Sequence, residues 1–148
     1  MSSSKSAWVT KSSINNKPWG SEISWSGGYA GNVKTLSLKK GERTSFKINL
    51  NKDEMLICGS GKLRAYFSDE ELVKHGAGEL RIEQLEAGSA LIVQSGCPYR
   101  IEALQDSTVL EVSSQNQNST IRLHDDYGRE TIVVNDKITE IINQIWGS

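Results

Sequence analysis

The side chains that could do chemistry in this sequence begin with a strictly alternating stretch. Ser45, Lys47, Asn49 and Asn51 fall on one face of a strand, and Phe46, Ile48 and Leu50 fall on the other. Two readings are open. Either the apolar face packs inward and the polar face meets water, or the polar face lines a lumen and something else covers the apolar one. Arg43 shares the parity of Lys47, one pleat further out. Metal chemistry has little to work with. His75 and His124 are the only histidines, and Cys58 and Cys97 form neither a CxxC pair nor a disulfide framework. No spacing supports a Cys97/His124 dyad. No glycine-rich phosphate loop, HExxH, nucleophile elbow or Cys/His zinc cluster is present.

Composition bounds the partners. The chain has 148 residues, a formal charge of −1, 36% hydrophobic and 24% charged residues. That is one globular domain, with enough core to fold without disulfides or a structural metal. A chain with no basic excess is not expected to bind nucleic acid. No apolar run approaches the ~20 residues of a membrane span, and MSSSKSAWVT has no apolar signal core. A cytoplasmic protein with no membrane partner is the expectation.

The elements that must position these residues are short and evenly punctuated. Strands are expected at 21–26, 32–39, 43–50, 54–58, 62–67, 80–85, 89–94, 98–103, 107–113 and 120–124. Each is bounded by Gly, Asn, Ser or Asp, as at Gly27-Gly28, Gly59-Ser60-Gly61 and Ser95-Gly96. Such spacing predicts an antiparallel all-β sandwich or barrel. Residues 1–16 read as a partly disordered tail, 17–134 as the domain, and 68–79 as an exposed hairpin loop with a helical turn at most. From Asp136, read as a cap, Ile138, Ile141, Ile142, Ile145 and Trp146 follow at helical spacing, so 135–148 is expected to be an amphipathic helix.

The glycines set these residues in a recognisable frame. Gly41, Lys47-Ile48-Asn49, Glu54 and Gly61 match the spacing of the first signature block of the cupin superfamily. Gly88, Gly96, Pro98, Tyr99 and Ala103 match that of the second. KPWGSE at 17–22, KKGERTSFKINLNKDEMLICGSGKL at 39–63 and IRLHDDYGRE at 121–130 resemble, more narrowly, the cupin domain of type II mannose-6-phosphate isomerases and of bifunctional mannose-1-phosphate guanylyltransferases. This resemblance spans about residues 17–130 and implies a jelly-roll (double-stranded β-helix) barrel.

In that family the two blocks hold a divalent metal that drives aldose–ketose isomerisation. Here the ligand positions carry Lys47, Asn49, Glu54 and Tyr99. Asn and Tyr are poor ligands, and an ammonium repels a dication, so no metal and no cofactor is expected. Instead, a Lys47–Glu54 ion pair is expected where the metal–Glu bond would be, with Asn49 and Tyr99 adding hydrogen bonds. Arg43, Asn49, Asn51 and Arg129 are the candidate ligand-binding residues; the family's terminal arginine meets a sugar phosphate.

The resemblance therefore implies a metal-free sugar or sugar-phosphate binding module. The alternative is a divergent isomerase or epimerase using Lys47, Glu54 and Tyr99 as acid–base groups; a non-binding scaffold is third. If Lys47 and Asn49 face the lumen, Phe46, Ile48 and Leu50 face outward. Either the terminal helix or a second copy must then cover them, and a homodimer is expected.

Overall fold

The computed structural model describes residues 5–25, 31–114 and 119–147. The expected break at Gly27-Gly28, residues 115–118 of the break expected at 115–119, the last residue of the 21–26 strand, and Ser148 of the terminal segment lie outside the described residues, as does the start of the tail. Eleven described strands and two helices follow one another: β1 (Ser13–Lys17), β2 (Gly20–Trp25), β3 (Asn32–Leu38), β4 (Phe46–Asn49), β5 (Glu54–Ser60), β6 (Lys62–Ser68), α1 (Leu72–His75), β7 (Leu80–Glu86), β8 (Ala90–Val93), β9 (Tyr99–Ala103), β10 (Ser107–Ser113), β11 (Thr120–His124) and α2 (Asp136–Trp146).

The strands form two antiparallel sheets. One has the order β1-β2-β3-β10-β5-β8 and the other β11-β4-β9-β6-β7. Chain neighbours are repeatedly separated between the sheets, and that crossing is the jelly-roll pattern. Glycine is needed at the β5–β6 turn. Gly61 has φ +86, and a Cβ there would lie 2.5 Å from the Asp106 carbonyl oxygen. Among the described residues no helix is long and apolar enough to cross a membrane.

Two differences from the sequence expectations bear on the site. β1 begins at Ser13, inside the stretch read as tail, and pairs with β2. Its SINNK sequence is polar and short, as an edge strand can be. β4 covers only Phe46–Asn49, because the chain before it runs as irregular backbone with a single bridge from Arg43 to Glu102.

Apolar residues fill two separate cores. Between the sheets lie Leu36, Leu56, Cys58, Leu63, Ile101 and Val109, with Trp19 and Tyr99 among them. The second core lies on the outside of the smaller sheet, where Phe46, Ile48 and Leu123 pack against Leu72 and Ile138. Ile141, Ile142 and Trp146 of α2 complete it. The outward apolar face of β4 is thus covered within the chain by the helix; only Leu50, 41% exposed, is left out. The reason given for a dimer through this face is removed. The helix cap is Asn135 rather than Asp136: its side chain accepts from the Ile138 amide at 2.9 Å, and Asp136 occupies the first turn.

Trp146 anchors α2 over a buried polar group. Arg100 is fully buried; it donates through Nε to the Thr44 carbonyl at 2.7 Å and through Nη1 to His124 Nδ1 at 3.1 Å. The Trp146 ring lies 4.6 Å from the Arg100 guanidinium and stacks on His124 at 5.7 Å. Asp126 ties in Arg100 at 3.4 Å and Arg43 at 2.7 Å.

Candidate functional site

Strand alternation turns Lys47 and Asn49 inward while Phe46 and Ile48 turn out to the helix. The inward residues open onto a cavity of about 270 Å3 between the sheets. That is slightly below the ~300–1,000 Å3 of drug-sized pockets and suits a monosaccharide-sized guest. Glu54 enters from β5, and Thr120 and Arg122 from β11.

Glu54 is the hub. Its side chain is about 1% exposed. Tyr99 donates to Oε1 at 2.7 Å, and the Asn49 side-chain amide donates to the same oxygen. Asn49 Oδ1 in turn accepts from the Thr120 hydroxyl at 2.8 Å. Burial, followed by the Glu54 charge, pushes the Tyr99 phenol well above its usual range, so it stays a proton donor. The second carboxylate oxygen, Oε2, is buried and accepts no hydrogen bond.

The expected Lys47–Glu54 ion pair is not formed. Glu54 Oε2 faces the Lys52 ammonium at 4.0 Å instead. The Lys47 ammonium lies over the Tyr99 ring, 4.9 Å from its centre, because the two residues are direct cross-strand partners. Burial pulls Lys47 down to about 8; Glu54 opposes that fall, and Arg129, Arg122 and Lys52 add to it.

The cavity wall is strongly cationic. Lys17, Lys34, Lys47, Lys52, Arg122 and Arg129 line it against three carboxylates, Glu22, Glu54 and Glu111. Lys17 and Lys34 share Glu22, at 3.8 and 3.3 Å. Arg129 is held by Asp125, whose side chain is fully buried, through Nη2 at 2.8 Å and Nε at 3.2 Å. Burial would raise the Asp125 carboxyl, but the Arg129 bonds outweigh it and hold it below the ordinary range.

Arg122 stands directly across the β4–β11 ladder from Lys47, and its Nε is buried with no acceptor. Like charges directly opposite each other on a sheet destabilise it unless something neutralises them.

The structure brings Lys47, Asn49, Glu54 and Arg129 to one cavity, with Tyr99 buried behind Glu54 and hydrogen-bonded to it. It does not bring Arg43 or Asn51. The Arg43 fork is bidentate on Asp126, at 2.7 and 2.8 Å, because position 43 precedes the β4 ladder and follows the smaller sheet's outer side. Asn51 lies past the end of β4, exposed, and donates to Ser119 Oγ at 2.9 Å. Sequence reasoning missed Arg122, Lys52, Lys17 and Lys34. The alternation of Thr120 and Arg122 with Ile121 and Leu123 was a usable signal for the first; the others needed the register.

The metal positions do not suit a metal. Lys47, Asn49 and Tyr99 surround a single carboxylate, and among the described residues no three His, Cys, Asp or Glu side chains come together.

No protein-family model matches the chain, and no curated protein matches it in sequence. Its structure resembles solved ones. The capsular polysaccharide assembling protein CapF from Staphylococcus aureus superposes with a TM-score of 0.64 at 17% identity, over 80% of this chain and 33% of CapF. Drosophila melanogaster CENP-C, solved bound to CAL1, gives 0.58 at 12% identity, over 75% of this chain and 81% of that one. The coconut allergen cocosin gives 0.54 at 17%, over 64% and 24%. This chain spans about a third of the CapF length. At these identities the likeness is one of fold, and with the two antiparallel sheets and terminal helix it establishes a cupin-type jelly roll.

Proposed function

We propose that the cavity binds a sugar phosphate, or a sugar bearing a comparable anionic group, without a metal ion. One observation carries this reading: Lys47 and Arg122 oppose each other across the ladder, and Arg122 Nε is buried without an acceptor. An anionic group seated between them relieves the repulsion and satisfies the orphan donor. Glu54 Oε2 lacks a donor at the same cavity, and a guest hydroxyl supplies one. Arg129, preset by Asp125, offers a second cation. The resemblance to mannose-6-phosphate isomerases supports the same substrate class, although the metal those enzymes use has no ligand set here.

Calorimetry with mannose 6-phosphate, fructose 6-phosphate and mannose tests it. Both phosphates are expected to bind more tightly than mannose, with Lys47→Ala and Arg122→Ala each weakening them by roughly 10-fold or more, as lost charge-assisted bonds should. Equal or undetectable binding of all three overturns the reading and leaves a scaffold role ahead.

A second reading has its own observation. The Tyr99 hydroxyl is hydrogen-bonded to Glu54 at 2.7 Å, and a lysine of lowered basicity lies on the same ring. These groups can move protons between sugar carbons. Isomerisation above background that is lost in Glu54→Gln favours this divergent isomerase or epimerase.

A further inference from the structure

Four lysines line the cavity: Lys17, Lys34, Lys47 and Lys52. Lys17 and Lys34 pair with Glu22, and Lys52 faces Glu54 Oε2. Among the described residues Lys47 alone of the four has no carboxylate within ion-pair distance. β4 runs between β11 and β9, so Lys47 is flanked by Arg122 on one side and Tyr99 on the other. One neighbour is a second cation. The other is an aromatic ring, with the ammonium 4.9 Å from its centre. The Glu54 carboxylate is already engaged, by Tyr99 and Asn49 through Oε1 and by Lys52 at Oε2.

An ammonium in that setting gives up water and gains no counter-ion, which favours the neutral amine. Burial, joined by Arg129, Arg122 and Lys52, brings Lys47 down to about 8 against the opposing pull of Glu54. At about pH 7 an amine titrating near 8 is unprotonated on the order of 100-fold more often than one at the ordinary ~10.4. A desolvated lysine beside other cations is the kind that condenses with carbonyl compounds. Lys47 is half-buried rather than sealed, and the cavity gives a guest access to it.

We propose that Lys47 forms an imine with the open-chain aldehyde of a phosphorylated sugar held in this cavity. The lone pair of Nζ attacks the carbonyl carbon, and a C–N bond forms. The two amine protons leave with the carbonyl oxygen as water, and C=N replaces C=O. No oxidant or reductant takes part. Protonated from solvent, the imine keeps a positive charge where the ammonium stood and draws electrons from the adjacent carbon. Arg122, whose Nε is buried without an acceptor, and Arg129, preset by Asp125, are left to hold the phosphate. This step rests on the anion-binding reading of the cavity for its guest, whereas the imine itself requires only the Lys47 amine.

Reductive trapping on the full chain at about pH 7 tests this. Glyceraldehyde 3-phosphate, too short to close a sugar ring, supplies the aldehyde, and cyanoborohydride reduces the imine to a stable secondary amine. Peptide mass spectrometry reads the rate at each lysine. Lys47 is expected to be labelled at least about 10-fold faster than the exposed Lys11 and Lys40. Glycerol 3-phosphate, which has the phosphate and no carbonyl, is expected to protect Lys47 and leave the other two unprotected. Lys47→Arg is expected to lose the fast adduct while Lys11 and Lys40 react as before. Labelling of Lys47 no faster than that of Lys11 and Lys40 overturns the imine; calorimetric binding of glycerol 3-phosphate by the same protein then leaves the anion-binding reading standing without it. Fast labelling of Lys47 by unphosphorylated glyceraldehyde as well, with no protection by glycerol 3-phosphate, upholds the imine and overturns the anion-binding reading instead.

Discussion

The Tyr99 hydroxyl lies 2.7 Å from Glu54 Oε1 and donates to it, while the other oxygen of the same carboxylate accepts nothing. One oxygen is thus occupied by Tyr99 and Asn49 together, and the other faces the Lys52 ammonium at 4.0 Å. Replacing Glu54 by Ala orphans two buried donors. The expected loss is about 3 kcal/mol of unfolding free energy in denaturant titration, since each unsatisfied buried group costs roughly 1–3 kcal/mol. Glu54→Gln keeps an acceptor oxygen and is expected to lose less than half of that.

Lys47 gives the cavity a pH dependence. Its basicity is lowered to about 8, chiefly by burial. Affinity for a sugar phosphate is expected to fall as pH rises from about 7 to about 9, when the ammonium is lost. Calorimetry across that range checks it, and Lys47→Arg is expected to flatten the profile. The same shift acts on stability in the opposite direction. Between about 8 and 10.5 the unfolded chain holds this proton more firmly than the folded one, so the Lys47 contribution to stability rises with pH there.

His124 behaves as a neutral residue that acid unsettles. Its Nδ1 faces the Arg100 guanidinium at 3.1 Å and accepts from it, so the ring proton sits on Nε2. Burial, then the Arg100 charge, lowers its pKa below 6.5. The unfolded chain therefore takes up this proton first, and the stability due to neutral His124 is expected to fall as pH drops below about 6.5. Thermal melts from pH 7 to 5 check it; His124→Gln, which keeps an acceptor for Arg100, is expected to show a shallower decline.

Trp146 holds the helix. Its ring contacts Phe46, Tyr66 and His124 and covers Arg100. Trp146→Ala is expected to cost about 3 kcal/mol, as large aromatic truncations do. It should also expose the segment before α2 to proteolysis, which limited digestion followed by mass spectrometry would detect. An unchanged digestion pattern would show that the isoleucine stripe holds the helix without it.

Local chemistry determined much of this protein. The alternation of Lys47 and Asn49 with Phe46 and Ile48 assigns opposite faces in any sheet, because side chains in a strand repeat every two residues. Glycine and polar punctuation marked ten strands, and helical spacing marked α2, since those signals act over a few residues. The tertiary structure decided the partners. Arg43 shares parity with Lys47, but the ladder begins at Phe46, and Asp126 takes the guanidinium away from the cavity. Glu54 faces Lys52 rather than Lys47 because cross-strand register lays Lys47 on Tyr99. Lys17 and Lys34 reach the cavity through β1 and β3, and β1 is too polar to announce itself as a strand. Which cations meet depends on register and on the packing of one sheet against the other. Those are relations between segments far apart in the chain, and local propensity carries no record of them.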